Sequence, residues 1–458
     1  MLKKFIIIIV FLLMIKNCAK IPKDDLIFLN LLNFLNNSEF SNNSNNSYIS
    51  YISEVSGIFD TSFGNNGFSF VDLYINLATY SYIGIESIHL QSNKILLAGI
   101  CNNNSYTICF ARFHSNDGKP DETLNPPYSY RLLNISNIDI NQLRSSYTKF
   151  HLMSDEKILL VAKYNGALFF ARFLSNGELD TSFNSPFGYK IVQEIMNNYN
   201  IETSLIQQND KILVGGYKWG DNRKDLFLAR FNQDGTFDNT FNGNGILILN
   251  LNPNYTNEVV KSILLTDDNK IFVGINFSYG NNYNYDSYKI SLARFNQDGS
   301  LDITYNAPYG YKILDKIIGV EKFSLYKLFN NAGYYLYTFN SPNIYHINSE
   351  GAINNSFNSN SGILNLIRLL YSPTILVQNN NKFIYGGILS SGEIYLSRYN
   401  SDGSKDNSFL LNTIIKDYTQ FHSAAMILAQ DNKILIGGSS TFNNQYEKRI
   451  QFYVIRIK

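Results

Sequence analysis

The sequence predicts an all-β protein, namely a seven-bladed β-propeller of four-stranded antiparallel blades whose ring is closed by the N- and C-terminal segments. Three observations support this prediction. Three short motifs recur in a fixed order along the chain. Their period is too long for a β-helix coil and suits a propeller blade with generous loops. The chain of 458 residues is also longer than one ordinary core can serve, which favours an array of repeated units.

The first motif is a short apolar strand that usually follows Asn-Lys or a similar pair. Its copies read NKILLAG from Asn93, EKILLVA from Glu156, DKILVGG from Asp210, NKIFVGI from Asn269, AGYYLYT from Ala332, NKFIYGG from Asn381 and NKILIGG from Asn432. These runs are apolar without alternation, which predicts strands that are covered on both faces, as in blades that stack face to face.

The second and third motifs are a strand containing Arg and a polar turn that leads to Asp-x-x-Phe. The Arg strand ends at Phe113, Phe173, Phe231, Phe295 and Tyr399 and recurs around Arg456, with a degenerate copy, IYHI, around His346. A tight turn ending in Gly follows most copies, as in SNDGK, NQDGT and NSDGS. Gly and Asn or Asp suit such turns because they tolerate a positive φ.

The strands of one copy can be placed from the third repeat. We expect YKIVQEI from Tyr189 to be its first strand and TSLIQQ from Thr203 its second. KILVGGY from Lys211 and DLFLARF from Asp225 would be the third and fourth. No helix of useful length is expected after residue 50.

These motifs resemble the delta-60 repeat, a bacterial propeller-like repeat that combines an Asp-x-x-Phe-Gly turn, a Lys-Ile-Leu-Val-Gly strand and an Arg-Phe strand. The likeness covers residues 57–458. It implies an architecture rather than an activity, because the family is assigned mostly by its repeat.

Ring closure follows from where the repeats begin and stop. DTSFGNNG from Asp60 has no Arg strand before it, whereas FYVIRIK stops at Lys458 where a turn and Asp-x-x-Phe would normally follow. We therefore expect residues near 57–73 to adjoin the last strand, which removes an open sheet edge. The period alone leaves open whether this splice falls inside a blade or between blades.

The N-terminus predicts export and lipidation. Lys3 and Lys4 precede an apolar run, Phe5 to Ile15, of the length of a signal-peptide core. Cys18 follows in a context that resembles the lipobox of bacterial lipoproteins, although Lys16 and Asn17 depart from its small residues. The alternatives are an ordinary signal peptide or an uncleaved anchor.

The predicted organisation has three parts. Residues 1–17 form a lipoprotein-type signal peptide, 18–50 a lipidated N-terminus with a short apolar helix-like segment and an Asn/Ser tether, and 51–458 the propeller. Acyl chains on Cys18, including palmitate, would hold the protein on the bacterial envelope, at the outer membrane or cell surface.

Composition bears on possible partners. Charged residues make up 16% of the chain and the formal net charge is +1, so no broad basic field is available for nucleic acid. Polarity comes from Asn, Ser and Tyr instead, which suits hydrogen bonding to sugars but equally reflects an Asn-rich compositional bias.

The recurrent charged residues are assigned to structure rather than chemistry. Asp pairs four residues apart, such as Asp117 with Asp121 and Asp234 with Asp238, lack the alternating ligands of a calcium loop and are expected to cap their turns. The mid-strand Arg residues are expected to pair with the turn Asp. A ring of Arg that lines the channel for an anion is the alternative.

No catalytic motif, metal-ligand spacing or cofactor fingerprint is recognised, and the His residues fall in non-equivalent places. We predict no cofactor and no metal, without excluding an active site assembled from distant loops. Cys101 and Cys109 bracket NNNSYTI, and a hairpin centred near Ser105 would place them opposite each other. Two interpretations of this pair are open, a disulfide bond or two buried thiols.

The most variable hairpin loops are the candidate binding sites. YKWGDNRKD from Tyr217 carries Trp219, and NFSYGNNYNYDSYK from Asn276 carries Tyr279, Tyr283 and Tyr285. Aromatic rings interleaved with amides suit sugar stacking or a protein contact, and they are also typical of variable hairpin tips. The expected function is an envelope scaffold that binds an unknown protein or carbohydrate. The alternatives are an envelope hydrolase or lyase at the channel mouth, or a structural surface component.

Overall fold

The structure is a computed structural model, which describes residues 59–73, 82–103, 105–143, 147–279, 288–369, 371–409, 413–414, 419–443 and 448–458. The chain divides into two compact units, Met1–Ser50 and Tyr51–Lys458, and every described residue belongs to the second. The predicted signal peptide, Cys18 and the Asn/Ser tether lie outside the described residues.

The fold is an all-β propeller in which five antiparallel sheets, here called blades, have four strands each within the described part of the chain. The first blade contains β2 (Tyr82–Gln91), β3 (Lys94–Asn103), β4 (Ser105–His114) and β5 (Tyr130–Leu133). The second contains β6 (Thr148–Leu152), β7 (Ile158–Tyr164), β8 (Ala167–Phe173) and β9 (Tyr189–Val192). The third contains β18 (Phe323–Lys327), β19 (Tyr334–Thr338), β20 (Asn343–Ile347) and β21 (Leu364–Asn365).

The remaining two blades follow the same plan. The fourth contains β22 (Tyr371–Val377), β23 (Phe383–Ile388), β24 (Ile394–Tyr399) and β25 (Thr413–Ile414). The closing blade contains β26 (Thr419–Leu428), β27 (Ile434–Asn443), β28 (Lys448–Ile457) and β1 (Phe68–Leu73).

Between the second and third blades lies one sheet of eight strands. Its first half contains β10 (Tyr199–Ile206), β11 (Ile212–Trp219), β12 (Lys224–Phe231) and β13 (Ile246–Leu249). Its second half contains β14 (Asn257–Leu265), β15 (Ile271–Ser278), β16 (Lys289–Phe295) and β17 (Tyr311–Ile318).

The prediction of seven separate four-stranded blades is therefore wrong. The third and fourth repeat copies merge because β12 and β14 form a parallel bridge between Lys224 and Asn257. The amide of Lys224 also donates to the carbonyl of Thr256 at 3.0 Å. The motifs do not reveal this joint, because neither Lys224 nor Asn257 belongs to one of the three motifs.

Helical structure is confined to short turns among the described residues. A 3-10 turn spans Glu122–Leu124, and the α-helical segments α1 and α2 span Ile140–Leu143 and Phe357–Asn360. Within the described part of the chain, none of these helices has the length or apolarity needed to cross a membrane.

The strand that follows each Asp-x-x-Phe turn returns to the sheet it came from. β9, which begins at Tyr189, pairs with β8 through Ala171 and Tyr189 and so completes the second blade. The expectation that this strand starts the next repeat copy was wrong. The first strand of that copy is β10, which pairs with β11.

Ring closure is confirmed in its predicted position. β1 pairs antiparallel with β28 from Phe68 and Ile455 to Leu73 and Ile450. The amide of Asp60 also donates to the carbonyl of Arg456 at 3.0 Å. The splice falls inside the closing blade, where the N-terminal segment supplies the fourth strand.

The inner strands of the sheets form a closed circuit. β2, β6, β10, β14, β18, β22 and β26 contact one another in this order, and β26 contacts β2. Packing between neighbouring sheets supplies the core. For example, Phe110 of the first blade meets Phe150 and Phe173 of the second at ring-centroid distances of 5.9 and 5.2 Å. Each such fully buried side chain contributes about 1.5–3 kcal/mol.

Candidate functional site

The recurrent Arg residues pair with the turn Asp residues, which confirms the structural assignment. Six pairs are Arg112 with Asp121, Arg172 with Asp180, Arg230 with Asp238, Arg294 with Asp302, Arg398 with Asp406 and Arg456 with Asp60. In each pair a Lys from the first motif joins the same carboxylate: Lys94, Lys157, Lys211, Lys270, Lys382 and Lys433. We call these sets the Arg–Asp–Lys triads.

Each triad Asp also shapes its own turn. In the first blade the Asp121 carboxylate accepts from the amide and hydroxyl of Thr123 at 3.1 and 2.7 Å. Burial alone would raise the pKa of Asp121, but Lys94, Thr123 and Arg112 together hold it well below its ordinary value. Across the described residues, no group of three or more His, Cys, Asp or Glu side chains is placed to hold a metal.

The triad Arg also links neighbouring sheets. Arg172 donates from Nη1 to the carbonyl of Gln233 at 3.3 Å, and its guanidinium lies 4.9 Å from the centroid of Phe183. Arg112 and Arg456 likewise reach the carbonyls of Ser175 and Ser115 in the following blade. Since these guanidinium groups are occupied by structural contacts, they do not support the alternative of an Arg ring for a channel anion.

The predicted loop from Tyr217 forms a cluster at one tip of the eight-stranded sheet, where Trp219 is exposed and Tyr217 and Lys224 are half-buried. The Lys224 ammonium lies 4.7 Å from the ring centroid of Tyr217 and 4.8 Å from that of Trp219, which are 6.0 Å apart. On the opposite face of β11, Lys218 lies 5.6 Å from the ring of Tyr199, so the cluster wraps around the end of the strand. We call these five residues the aromatic–lysine patch.

The patch continues along the inner strands as a polar network. Lys163 donates to Asn200 at 2.9 Å, Asn200 donates to Glu202 at 2.7 Å, and Lys261 pairs with Glu202 at 3.1 Å. Burial and the nearby Lys261 lower the pKa of Lys224. Glu202 and Glu321 oppose this shift, so the region carries charges of both signs, while Lys218 and Lys224 themselves lie against aromatic rings.

The second predicted loop is described only at its start. Tyr279 is 50% exposed, and its ring lies 4.5 Å from that of Tyr255. Tyr283 and Tyr285 lie outside the described residues.

Cys101 and Cys109 are joined by a disulfide bond, with Cα atoms 5.8 Å apart. Asn103 pairs with Ser105 in the register of β3 with β4. The two cysteines consequently lie diagonally, opposite Thr107 and Gly99, and not opposite each other as expected. Both are buried in the core between the closing and first blades, away from the patch.

A second polar group lies on the inner strands of the first three repeat copies, and sequence analysis missed it. Tyr147 and His151 both contact the Ser204 hydroxyl of β10, at 2.7 and 2.6 Å. Glu86 and His89 lie on β2, and Lys149 lies on β6 between Tyr147 and His151. We call these six residues the inner-strand cluster. The only sequence signal is the pair IHL and FHL, each shortly before its Lys strand.

Electrostatics keep the two cluster imidazoles uncharged at neutral pH. Burial, assisted by the charge of Lys149, lowers the pKa of His89 to about 4 and that of His151 to about 3. The surrounding protein partly desolvates Glu86 and raises its pKa, although the side chain still reaches solvent, while Lys149 opposes that shift.

The other three His residues are dispersed among structural positions. His114 lies 3.8 Å from the Asp121 carboxylate, and His422 lies 2.6 Å from the Thr441 hydroxyl. His346 takes the place of the triad Arg in the third blade, where its Nδ1 accepts from Asn354 at 3.0 Å.

Three segments of the chain match one family model. The family is described as "Domain of unknown function (DUF5122) beta-propeller", and the matched residues are 154–183, 207–241 and 378–409. Each segment contains a Lys strand, an Arg strand and the start of the turn, which supports a propeller repeat family. The finer delta-60 resemblance remains a prediction. None of the curated proteins compared with the chain matches it.

Solved structures similar to the chain are distant in sequence. The polysaccharide lyase Uly1 is 9% identical with a TM-score of 0.46, covering 85% of this chain and 97% of its own. Prolyl oligopeptidase B from Galerina marginata is 10% identical with a TM-score of 0.45, over 83% of this chain and 52% of its own. The β-propeller domain of the Trilobed protease from Pyrococcus furiosus is 11% identical with a TM-score of 0.40, over 81% and 98%.

Proposed function

We propose that this protein is a binding scaffold whose aromatic–lysine patch holds an acidic glycan. The carrying observation is the placement of Lys224 between the rings of Tyr217 and Trp219, with Trp219 37% exposed at the tip of its hairpin. An aromatic face offers a stacking surface for the apolar side of a sugar ring. The neighbouring lysines supply the positive charge that an acidic sugar needs.

The charge distribution favours an acidic ligand over a neutral one. Lys218 and Lys224, the two cations of the patch, contact aromatic rings rather than carboxylates among the described residues, so their charges remain available to an anionic ligand. An exposed site of this kind attracts an anionic polymer over a distance of about 10 Å at ordinary salt. We therefore expect binding that weakens as salt concentration rises.

Calorimetric titration of the full chain in detergent with a polyuronate tests the proposal. We expect binding in low salt and a loss of about tenfold or more in affinity for Trp219→Ala and for Lys224→Met, because each removes part of the patch.

Tyr371→Ala is the matched control, because Tyr371 is 54% exposed at the start of the inner strand of the fourth blade. It should bind as the wild type does. Equal binding by all of these variants, or no polyuronate binding at all, would contradict the proposed function.

We further propose that the protein is an exported lipoprotein of the bacterial envelope, anchored through acylated Cys18. Lys3, Lys4, the apolar run that follows them and the Cys at its end support this reading. Cys18→Ser should lose incorporation of labelled palmitate and move from the membrane fraction to the soluble fraction. A Cys18→Ser variant that stays labelled and membrane-bound would overturn this part of the proposal.

An enzyme at the channel is the second candidate, and the contact of the Ser204 hydroxyl with His151 at 2.6 Å favours it. Against it, an imidazole with a pKa near 3 is a weak base at neutral pH. A serine-directed phosphonate probe separates the two readings. Labelling that Ser204→Ala abolishes would favour the enzyme, and absence of labelling would favour binding.

A further inference from the structure

The inner-strand cluster has the composition of a small-molecule site. Tyr147, Lys149 and His151 are alternate residues of one strand segment and share a face, whereas Phe150 between them is buried in the core. Ser204 meets this face from β10. Glu86 and Lys149 are exposed to solvent although they lie on inner strands, so the cluster is accessible at the inner edge of the ring.

The hydrogen-bonding capacity of the cluster is partly fixed by its own contacts. His89 lies 3.1 Å from the carbonyl of Phe150, which can only accept, so His89 carries its proton on Nε2. Its Nδ1 is therefore an acceptor. The Tyr147, Ser204 and His151 chain is neutral and can donate or accept once a ligand hydroxyl joins it.

The two charged members are not bonded to each other. Lys149 and Glu86 influence each other electrostatically, yet no ion pair joins Lys149 to a carboxylate in the described part of the chain. Since the two imidazoles are uncharged, Lys149 is the one cation of the cluster. A ligand carboxylate can pair with it without displacing a protein partner.

These groups together fit a sugar acid. The ammonium of Lys149 suits one carboxylate, and the Glu86 carboxylate and the neutral side chains suit the several hydroxyls that surround it on a sugar ring. A neutral sugar would leave Lys149 unpaired, and a simple carboxylic acid would leave most of the acceptors unused.

We propose that the inner-strand cluster binds a single uronate sugar, with Lys149 pairing to its carboxylate and Glu86, His89 and Ser204 binding its hydroxyls. This inference rests on the proposed function, because the single sugar would be the end of the same acidic glycan, taken up at the inner edge of the ring. It assigns the monosaccharide to the cluster and the polymer to the aromatic–lysine patch.

The test titrates the full chain in detergent with glucuronate and with glucose, followed by calorimetry. We expect glucuronate to bind about tenfold more tightly than glucose. Lys149→Met should remove that preference, and Lys149→Arg should restore it. Ser204→Ala should weaken both sugars to a similar extent. Lys316→Met, which changes an exposed lysine on β17, should behave as the wild type.

Several outcomes would overturn the inference: no glucuronate binding, equal affinity for glucose, or an unchanged preference in a Lys149→Met protein whose melting temperature matches the wild type. Failure here and failure of the proposed function can be told apart. Polyuronate binding that depends on Trp219, without glucuronate binding, removes only this inference. Glucuronate binding that Trp219→Ala leaves unchanged supports it even if the polymer does not bind.

Discussion

Six repeat copies carry an Arg–Asp–Lys triad, whereas the third blade builds the same turn without charge. In a charged copy, Arg230 donates to Asp238 at 2.6 Å and Lys211 reaches the same carboxylate oxygen at 2.6 Å. In the third blade, Asn354 donates to His346 at 3.0 Å, and the other ring nitrogen of His346 donates to the carbonyl of Ala332 at 3.0 Å. This contact is a hydrogen bond between an amide and an imidazole and not an ion pair.

The turn itself is the same in both. The Asp238 carboxylate accepts from the amide and hydroxyl of Thr240 at 3.1 and 2.7 Å, and the Asn354 amide oxygen accepts from those of Ser356 at 3.0 and 2.6 Å. Turn geometry therefore depends on hydrogen bonding rather than on charge. Arg230 also donates to the carbonyl of Gln297 in the next repeat copy, and in the third blade Tyr335 makes the equivalent contact by donating to the carbonyl of Ser401 at 3.3 Å.

The neutral copy cannot simply regain its triad. Gly333 occupies the Lys position, as the register of β19 with β20 shows, and its φ is 106°. A Cβ atom there would lie 2.0 Å from the carbonyl oxygen of Ile347. Because no side chain fits, the loss of Lys and the exchange of Arg and Asp for His and Asn form one consistent set.

The largest expected effect on stability comes from removing the Arg of one triad. Arg230→Met leaves the Asp238 carboxylate, only 4% exposed, with Lys211 as its remaining ion-pair partner. We expect a loss of about 3 kcal/mol in the free energy of unfolding, measured by urea denaturation. Arg368→Met, at an exposed position, should change it little. A negligible loss for Arg230→Met would show that the triads are as dispensable as surface pairs.

The pH dependence of the free energy of unfolding distinguishes the triad Asp residues from other buried titratable groups. Burial raises the pKa of Glu258 to about 7, although it accepts from the amides of Leu251 and Asn252. Below its unfolded pKa of 4.5 this carboxyl is protonated in both states. As pH rises from there towards 7, stability falls because the folded state keeps a proton that the unfolded state has released.

Glu258→Gln removes this titration, so its stability relative to the wild type should rise by about 2 kcal/mol between pH 5 and pH 8. The triad Asp residues titrate below this window and should not contribute. His89 and His151 have the opposite sign, since the unfolded state binds protons below 6.5 and stability increases with pH up to that value. Urea denaturation across the pH range measures the difference, and a constant offset between the proteins would contradict the assignment.

A smaller effect isolates the contact between turns. Gly235 has a φ of 77°, and a Cβ atom there would lie 2.9 Å from the Phe183 ring of the preceding sheet. Gly243 has a φ of 75° with nothing within 4 Å. Both Gly→Ala changes should cost about 1 kcal/mol for the left-handed backbone, and Gly235→Ala should cost more. Equal melting temperatures for the two variants would show that the turn is not pressed against its neighbour.

The smallest effect concerns the neutral copy. His346→Met removes hydrogen bonds to Asn354 and Ala332 but strands no charge, so we expect a loss of about 1 kcal/mol. The difference between the losses in unfolding free energy of Arg230→Met and His346→Met, measured in the same urea assay, gives the contribution of charge to the repeat. A larger loss for His346→Met would reverse the comparison.

Much of the repeat could be read from the sequence because each motif is a local physical requirement. The Asp before the Phe and the Arg in the strand predicted their pairing. The pairing of β1 with β28 followed from the incomplete copies at each end. The strand from Tyr189 was assigned to the wrong sheet, because its return to β8 depends on the turn path rather than on its own residues.

The candidate site was only half visible in the sequence. Tyr217 and Trp219 stood out by residue type, but Lys224 and Tyr199 join them only through the register of β11 with its two neighbours. The inner-strand cluster was missed because the equivalence of His89 and His151, which lie opposite Leu96 and Leu159, appears only in the strand register, and only the ring brings Ser204 to them. The joint between Lys224 and Asn257 likewise depends on tertiary structure.

Hydrogen–deuterium exchange of the full chain, with and without a polyuronate, tests the central claim most directly, because it locates the ligand without a mutation. We expect added protection in Tyr199–Ile206 and in the hairpin of Ile212–Trp219 and Lys224–Phe231. We expect little change at the Gly turns beside the Arg–Asp–Lys triads, here called the triad side. Protection confined to the triad side, or none anywhere on the ring, would contradict a glycan-binding role for the aromatic–lysine patch.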